Sequence, residues 1–233
     1  MKRIRRRVTA AGDIHFPWGN DHVLAQFYKR LHTFQPEAVI QVGDLMDMYS
    51  FARFARSFNV YTPQQELAIA RKKGEVFWQT VRDICPRAKR FQLVGNHEDR
   101  AVKLALNEAP ELEEFVRAGI HKLMEFPGVK TIHDSREVFM IDDVGYHHGY
   151  LLQPGAHARS FNCNMVTGHT HFGCVIPVMT EKELFWELNA GYIGDRFAKA
   201  MSYTAQRKFS KWTVGWGEID EVGPRFVPAK ESP

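Results

Sequence analysis

The chain has 233 residues, 44% of them hydrophobic and 25% charged, with a formal net charge of +4. This is the composition of an ordinary globular protein with enough Phe and Trp for a sizeable core, so a single domain over residues 1–233 is the simplest expectation. Three scattered cysteines without CxxC spacing argue against a disulfide framework or thiolate zinc site, no run approaches the roughly 18 apolar residues of a membrane helix, and the basic start lacks the apolar core of a signal peptide, so a cytoplasmic protein with no membrane association is expected.

In chain order, the apolar run Val8–Ala11 closes on GDIH, and a helix is predicted over 21–34, behind the capping Asn20 and before Pro36. Ala38–Val42 is a second strand closing on GD. A long helix over 63–84 opens with Pro63 and acidic Glu66, and it places Leu67, Ala70, Gly74, Phe77, Trp78, Val81 and Ile84 near one face before halting at Pro86. Arg90–Val94 runs into GNHEDR, and helices are expected over 99–106 and 111–124. Met165–Thr167 runs into GHTH. The segments 175–179, 184–188 and 212–219 read as consecutive strands, suggesting a second, antiparallel-rich sheet. The alternation of strands and helices predicts an α/β core.

Each strand that closes on glycine is followed by polar groups: Asp13 and His15, Asp44 and Asp47, Asn96 and His97, and finally His169 and His171, with His148 in HHGY completing the set. Loops at the C-terminal ends of parallel strands converge, so residues far apart in sequence meet in one cleft. Carboxylates mixed with imidazoles, without thiolates, suit divalent ions such as Mn²⁺, Fe²⁺, Ni²⁺ or Zn²⁺. About seven ligands drawn from these nine groups are too many for one tetrahedral ion and fit two ions sharing a carboxylate. In D-x-H and H-x-H, alternate residues of an extended chain project to one side, and the preceding glycines let the backbone turn sharply.

The ordered set GDIH, GDLMD, GNHE, HG and GHTH, spanning residues 12 to 171, resembles the signature of the calcineurin-like metallophosphoesterases. GNHEDR together with the late SKWTVGWG is similar to small members from bacteriophages and bacteria. The resemblance implies a four-layer α-β-β-α sandwich, two mixed sheets flanked by helices. It also implies two divalent ions, Mn²⁺ foremost, with Fe, Ni or Zn as substitutes. Asp13, His15 and His171 would hold one ion and Asn96, His148 and His169 the other, with Asp44 bridging. His97 would face the substrate as general acid, and Asp47 would hydrogen-bond behind it to fix its tautomer. The implied reaction is direct attack on phosphorus by a hydroxide shared between the ions, without a phosphoenzyme.

Simpler roles stand beside these. Asp13 and Asp44 could serve as helix caps, and Asp47 as a solvated first-turn carboxylate. Glu98, Asp99 and Arg100 open a helix, where acidic residues gain from the dipole; Arg100 either reaches a substrate phosphate or forms a structural ion pair. His147 rivals His148, but the HG pair favours His148. His22, His32, His121, His133 and His157 match no motif and are expected on the surface or in the core. Basic and aromatic residues interleave over 192–212, a pattern that binds nucleic acid or forms a solvated loop, and Lys2, Arg3 and Arg5 to Arg7 flank the first strand. The expected activity is a phosphodiesterase on nucleotide, cyclic-nucleotide or nucleic-acid substrates. The alternatives are a phosphomonoesterase acting on nucleotides or phosphoproteins, a non-catalytic scaffold of the same fold, and a nucleic-acid-binding module.

Overall fold

The computed structural model describes residues 6–53, 61–181, 183–198 and 212–231. Most of the basic N-terminal residues, and 199–211 of the basic and aromatic segment, lie outside them.

The first sheet starts from β1 (Val8–Ala11), β2 (Ala38–Gln41), β3 (Lys89–Leu93) and β4 (Lys130–Ile132), four parallel neighbours in that order. Connections on one face carry α1 (Asp21–Phe34), α2 (Pro63–Ile84), α3 (Arg100–Glu108) and α4 (Glu113–Leu123). Both long helices have the predicted bounds, and local chemistry accounts for their starts. Asn20 accepts from the N–H groups of His22 and Val23, and Thr62 forms a reciprocal capping box with Gln65 ahead of Pro63. Glu66 departs from expectation. It is buried and accepts from the N–H groups of Tyr49 (2.6 Å) and Ser50 (2.8 Å), tying α2 to the loop after β2.

The second sheet has the order β5-β6-β7-β9-β8: β5 (Phe139–Ile141), β6 (Val144–Tyr146), β7 (Asn164–Thr167), β8 (Cys174–Met179) and β9 (Leu184–Asn189). Here the tail corrects the sequence reading. The β8–β9 hairpin joins this sheet, which is mixed, because β6, β7 and β9 pair in parallel. The strand over 212–219 is shorter, β10 (Gly215–Ile219). With β11 (Pro224–Pro228) it returns to the first sheet, antiparallel to β1.

Alternation along the strands sorts the core into layers. Val8, Ala10, Ala38 and Ile40 face Tyr146, Val166, Trp186 and Leu188 across the two sheets. On the outer face of the first sheet, Ala11 and Val39 meet Phe27, Leu31, Phe77 and Val81 of α1 and α2. Each fully buried Val, Leu, Ile or Phe among these contributes about 1.5–3 kcal/mol of transfer free energy. Among the described residues, the far face of the second sheet is covered by α5 (Ala156–Phe161), through Ala158 against Met165 and Val178. The arrangement is a four-layer α-β-β-α sandwich with two mixed sheets, as the resemblance implied. Its consequence for function is directional: β1, β2, β3, β6 and β7 all end at one rim.

Candidate metal centre

Five loops meet at that rim, and hydrogen bonds between their backbones fix their relative positions. The N–H groups of Ile14 and His15 both donate to the carbonyl of Asp44 at 3.0 Å, and that of Phe16 donates to Leu45 at 2.8 Å. Gly168 N–H donates to the carbonyl of His148 at 2.8 Å, and Ile193 and Gly194 both donate to that of Asp13. Asn189 donates to the carbonyl of Gly168 at 2.6 Å and to Thr170 Oγ1 at 2.9 Å, steadying the GHTH loop.

The backbone at the chemistry-bearing residues is unusual. Asp13, His15, Asp44, His169 and His171 have φ of 52°, 56°, 54°, 66° and 57°. This left-handed region costs a side-chain-bearing residue about 1 kcal/mol or more. The D-x-H and H-x-H pairs are therefore not extended, contrary to expectation; they share a target because both members of each pair turn left-handed. Of the glycines that precede the motifs, Gly43 has positive φ (101°). Gly95 matters for a different reason: a Cβ there would run into the backbone and carboxylate of Asp44. Neither Asp13 nor Asp44 caps a helix.

The side chains converge in two groups that share Asp44. Asp13 Oδ1 lies 3.0 Å from His171 Nε2 and 3.8 Å from His15 Nε2. On the other side, Asn96 Oδ1 lies 2.9 Å from His148 Nε2 and 2.7 Å from His169 Nδ1. Between them, Asp44 Oδ2 stands 3.2 Å from His148 Nε2 and 4.0 Å from His15 Nε2. Three sets can each direct their ligand atoms at a single ion: Asp13, His15 and His171; Asp13, Asp44 and His148; and also His15, Asp44 and His97, although the resemblance implies no ligand role for His97.

The imidazoles are oriented from behind, as metal-ligating histidines are. His148 Nδ1 hydrogen-bonds the carbonyl of Val42 at 3.0 Å, and His15 Nδ1 meets Asp47 Oδ1 at 3.0 Å. Each turns its Nε2 inward, and the buried His15 Nε2 has no hydrogen-bond partner among the described residues. A fully buried nitrogen facing two carboxylates without a donor between them is what a cation site requires. Electrostatics agree. Burial works against a proton on His15, yet the surrounding carboxylates of Asp13, Asp47 and Asp44 lift it to about 10. For His148 burial is outweighed by the Asp44 charge, and the value rises to about 9. Burial opposes ionisation of Asp44 too, but His148 and His97 hold it well below the usual carboxylate range. The pocket stabilises positive charge between its carboxylates.

Asp47 is not a solvated first-turn residue. It is buried, and its Oδ1 accepts from His97 Nδ1 at 2.7 Å as well as from His15. Sequence reasoning had assigned it to His97 alone. Arg100 sits at the site rather than in solvent: Nη1 donates to the carbonyl of Asp47 and Nη2 to His97 Nε2, both at 2.8 Å. In this conformation His97 is an acceptor at Nε2, and burial pushes its pKa down to about 4. His147, the rival of His148, is directed elsewhere, its Nδ1 accepting from Gly149 N–H and its ring against Tyr150 and His157.

Glu98 was read as a helix-opening acid and missed as a site residue. It is fully buried and accepts from the N–H groups of Asp44 (3.2 Å), Met46 (2.8 Å) and Gly95 (2.8 Å), joining the GDLMD and GNHE loops. Burial, with the Asp44 charge, lifts its carboxyl to about 7. The helix begins after it, at Arg100. A buried carboxylate and a solvated one share the same letter, so only the two-residue proximity to Asn96 could have flagged it.

No protein-family model matches the chain. The Gene 54 protein of Mycobacterium phage L5 is 22% identical over 247 residues, covering 96% of this chain and 93% of that protein. Among solved structures, Vps29 from Cryptosporidium parvum is 16% identical, with a TM-score of 0.45 over 97% of this chain and 98% of that one. YfcE, a phosphoesterase from E. coli, is 14% identical, with a TM-score of 0.41 over 92% and 88%. Likenesses this loose add nothing to what the side chains say about chemistry.

Proposed function

We propose that the protein is a metal-dependent phosphoesterase of the calcineurin-like kind, using two divalent ions, Mn²⁺ foremost, to hydrolyse phosphodiesters of nucleotides or nucleic acids in the cytoplasm. The observation that carries this reading is Asp44 Oδ2, placed between the imidazoles of His15 and His148. Asp13, His15 and His171 would hold one ion, and Asn96, His148 and His169 the other, with Asp44 common to both. Bound there, the ions would generate a hydroxide near neutral pH and neutralise phosphoryl charge.

The protein's own groups supply the rest. Asp47 holds His97 from Nδ1, which directs Nε2 towards the site. Arg100 now donates to that nitrogen. A phosphate anion offers the guanidinium a stronger acceptor than a neutral imidazole. Once Arg100 turns to it, His97 Nε2 is released and the nearby negative charge favours its protonation. His97 then gives that proton to the leaving alkoxide.

The test is Mn²⁺-dependent hydrolysis of bis-p-nitrophenyl phosphate against p-nitrophenyl phosphate, with Asp44→Asn as control. Faster turnover of the diester, lost in the variant, is the expected result. Monoester preference would replace diesterase by phosphatase, and no turnover with any divalent ion would remove the enzyme reading.

A further inference from the structure

The GNHEDR turn has two sides. His97 and Arg100 face the metal centre, while Asp99 and Lys103 border a separate cavity of about 650 Å³ between α3, α4 and the segment after β4. That volume falls within the range of small-molecule sites. The two spaces share one wall, since Ser135 Oγ donates to Asp99 Oδ2 at 3.1 Å, two residues beyond His97.

The lining combines three chemistries. Val102 and Leu106 are apolar. His121 and His133 lie face against face, ring centroids 4.2 Å apart and planes tilted by 31°, and the buried Nδ1 of His133 has no hydrogen-bond partner among the described residues. Lys103, Arg117 and Arg136 supply three positive charges against the carboxylates of Asp99 and Asp134. Arg136 bonds Asp134, and Arg117 pairs with Glu113 outside the lining. Lys103 has no ion-pair partner among the described residues, so an uncommitted ammonium stands beside an aromatic and apolar wall. Phosphate together with a planar base is the ligand that uses all three features.

We propose that this cavity is the subsite for the nucleotide next to the scissile phosphate, so that the substrate is an extended single-stranded oligonucleotide rather than a mononucleotide. This rests on the phosphodiesterase reading above and assigns its substrate class. Binding here needs no metal. The flanking phosphate meets Lys103, its base lies along the His121–His133 pair and Leu106, and the preceding phosphodiester reaches Arg100 across the turn.

The test has two arms, using Lys103→Glu and, as a second surface change, Arg136→Ala. In the first, a fluorescent single-stranded trinucleotide is titrated into metal-free protein in EDTA and followed by anisotropy. Lys103→Glu should weaken binding at least about tenfold and lower the salt slope by about one; equal affinity in wild type and both variants overturns the subsite. In the second, with Mn²⁺, the loss of kcat/KM in Lys103→Glu should be at least about tenfold greater on the trinucleotide than on bis-p-nitrophenyl phosphate, and carried by KM. Equal losses on the two substrates overturn the proposal while leaving the phosphoesterase standing. Failure of wild type to hydrolyse bis-p-nitrophenyl phosphate overturns the phosphoesterase instead, and the EDTA titration still judges the cavity.

Discussion

Asp44 Oδ1 accepts the backbone N–H of His97 at 2.9 Å, while Oδ2 of the same carboxylate faces His148. One side chain therefore both sits at the centre of the candidate ligand set and fixes where the GNHEDR turn begins. Disturbing the loops around Asp44 should be felt in metal binding and in the placement of His97 together.

Glu98→Gln tests that coupling. The amide offers one acceptor oxygen where the carboxylate offers two to the N–H groups of Asp44, Met46 and Gly95. At least one buried donor is orphaned, at a cost of about 1–3 kcal/mol. The expected result is a lower urea midpoint and weaker Mn²⁺ binding by calorimetry, with KM for bis-p-nitrophenyl phosphate little changed. Unaltered metal affinity in a folded variant would show that Glu98 does not position the ligands.

Asp47→Asn reaches two imidazoles through one atom, since Oδ1 serves both His15 and His97. Loss of a carboxylate behind a metal-ligating histidine typically costs about 10–100-fold in affinity or activity. The variant should lose Mn²⁺ affinity as well as kcat. If kcat falls while calorimetry finds both ions bound as in wild type, Asp47 acts on His97 alone.

His97→Ala should retain two ions by elemental analysis and lose activity most on diesters with poor leaving groups, because a good leaving group needs no proton. Arg100→Ala removes the donor that now holds His97 Nε2 and should raise KM more than it lowers kcat. Loss of metal in His97→Ala would end the acid assignment.

Stability should depend on pH through the same groups. The folded pKa values of His15 and His148, about 10 and about 9, lie above the ordinary 6.5. Their contribution is complete below pH 6.5 and is lost as pH rises through the folded values, where the native protein holds protons that the unfolded chain has released. Glu98, lifted to about 7, is still losing its native-state proton at the start of this interval and adds to the same decline there. Thermal melts in EDTA should therefore fall in midpoint from pH 7 to 9.5, and saturating Mn²⁺ should flatten the decline, because bound cations replace the protons. A midpoint in EDTA that holds or climbs over this interval contradicts the assignment.

Much of this was legible in the sequence for a local reason. Glycine followed by acid, amide or imidazole at the end of an apolar run is a conspicuous pattern, and Asn20 and Pro63 mark helix starts by their own chemistry. What stayed hidden depends on partners. The strands KTI, FMI and VGY of β4, β5 and β6 are three residues long, too short for a period to declare itself. The tail strands could be recognised, but nothing in 212–219 says that it crosses back to pair with Val8–Ala10. Glu66, Glu98 and Asn189 act on backbone groups distant in sequence or across a turn, and their letters look like those of solvated residues.

The left-handed backbone at Asp13, His15, Asp44, His169 and His171 has a consequence for which residue these places prefer. Five positions are held in a conformation their side chains disfavour, and what those side chains contact, with the ions they are proposed to hold, must offset that cost. Glycine would relax the backbone at each of these places, although at Asp13 and Asp44 it would also remove the acceptors of the His169 and His97 N–H groups. The backbone at these positions therefore favours glycine, and the candidate ligand side chains stand against that preference.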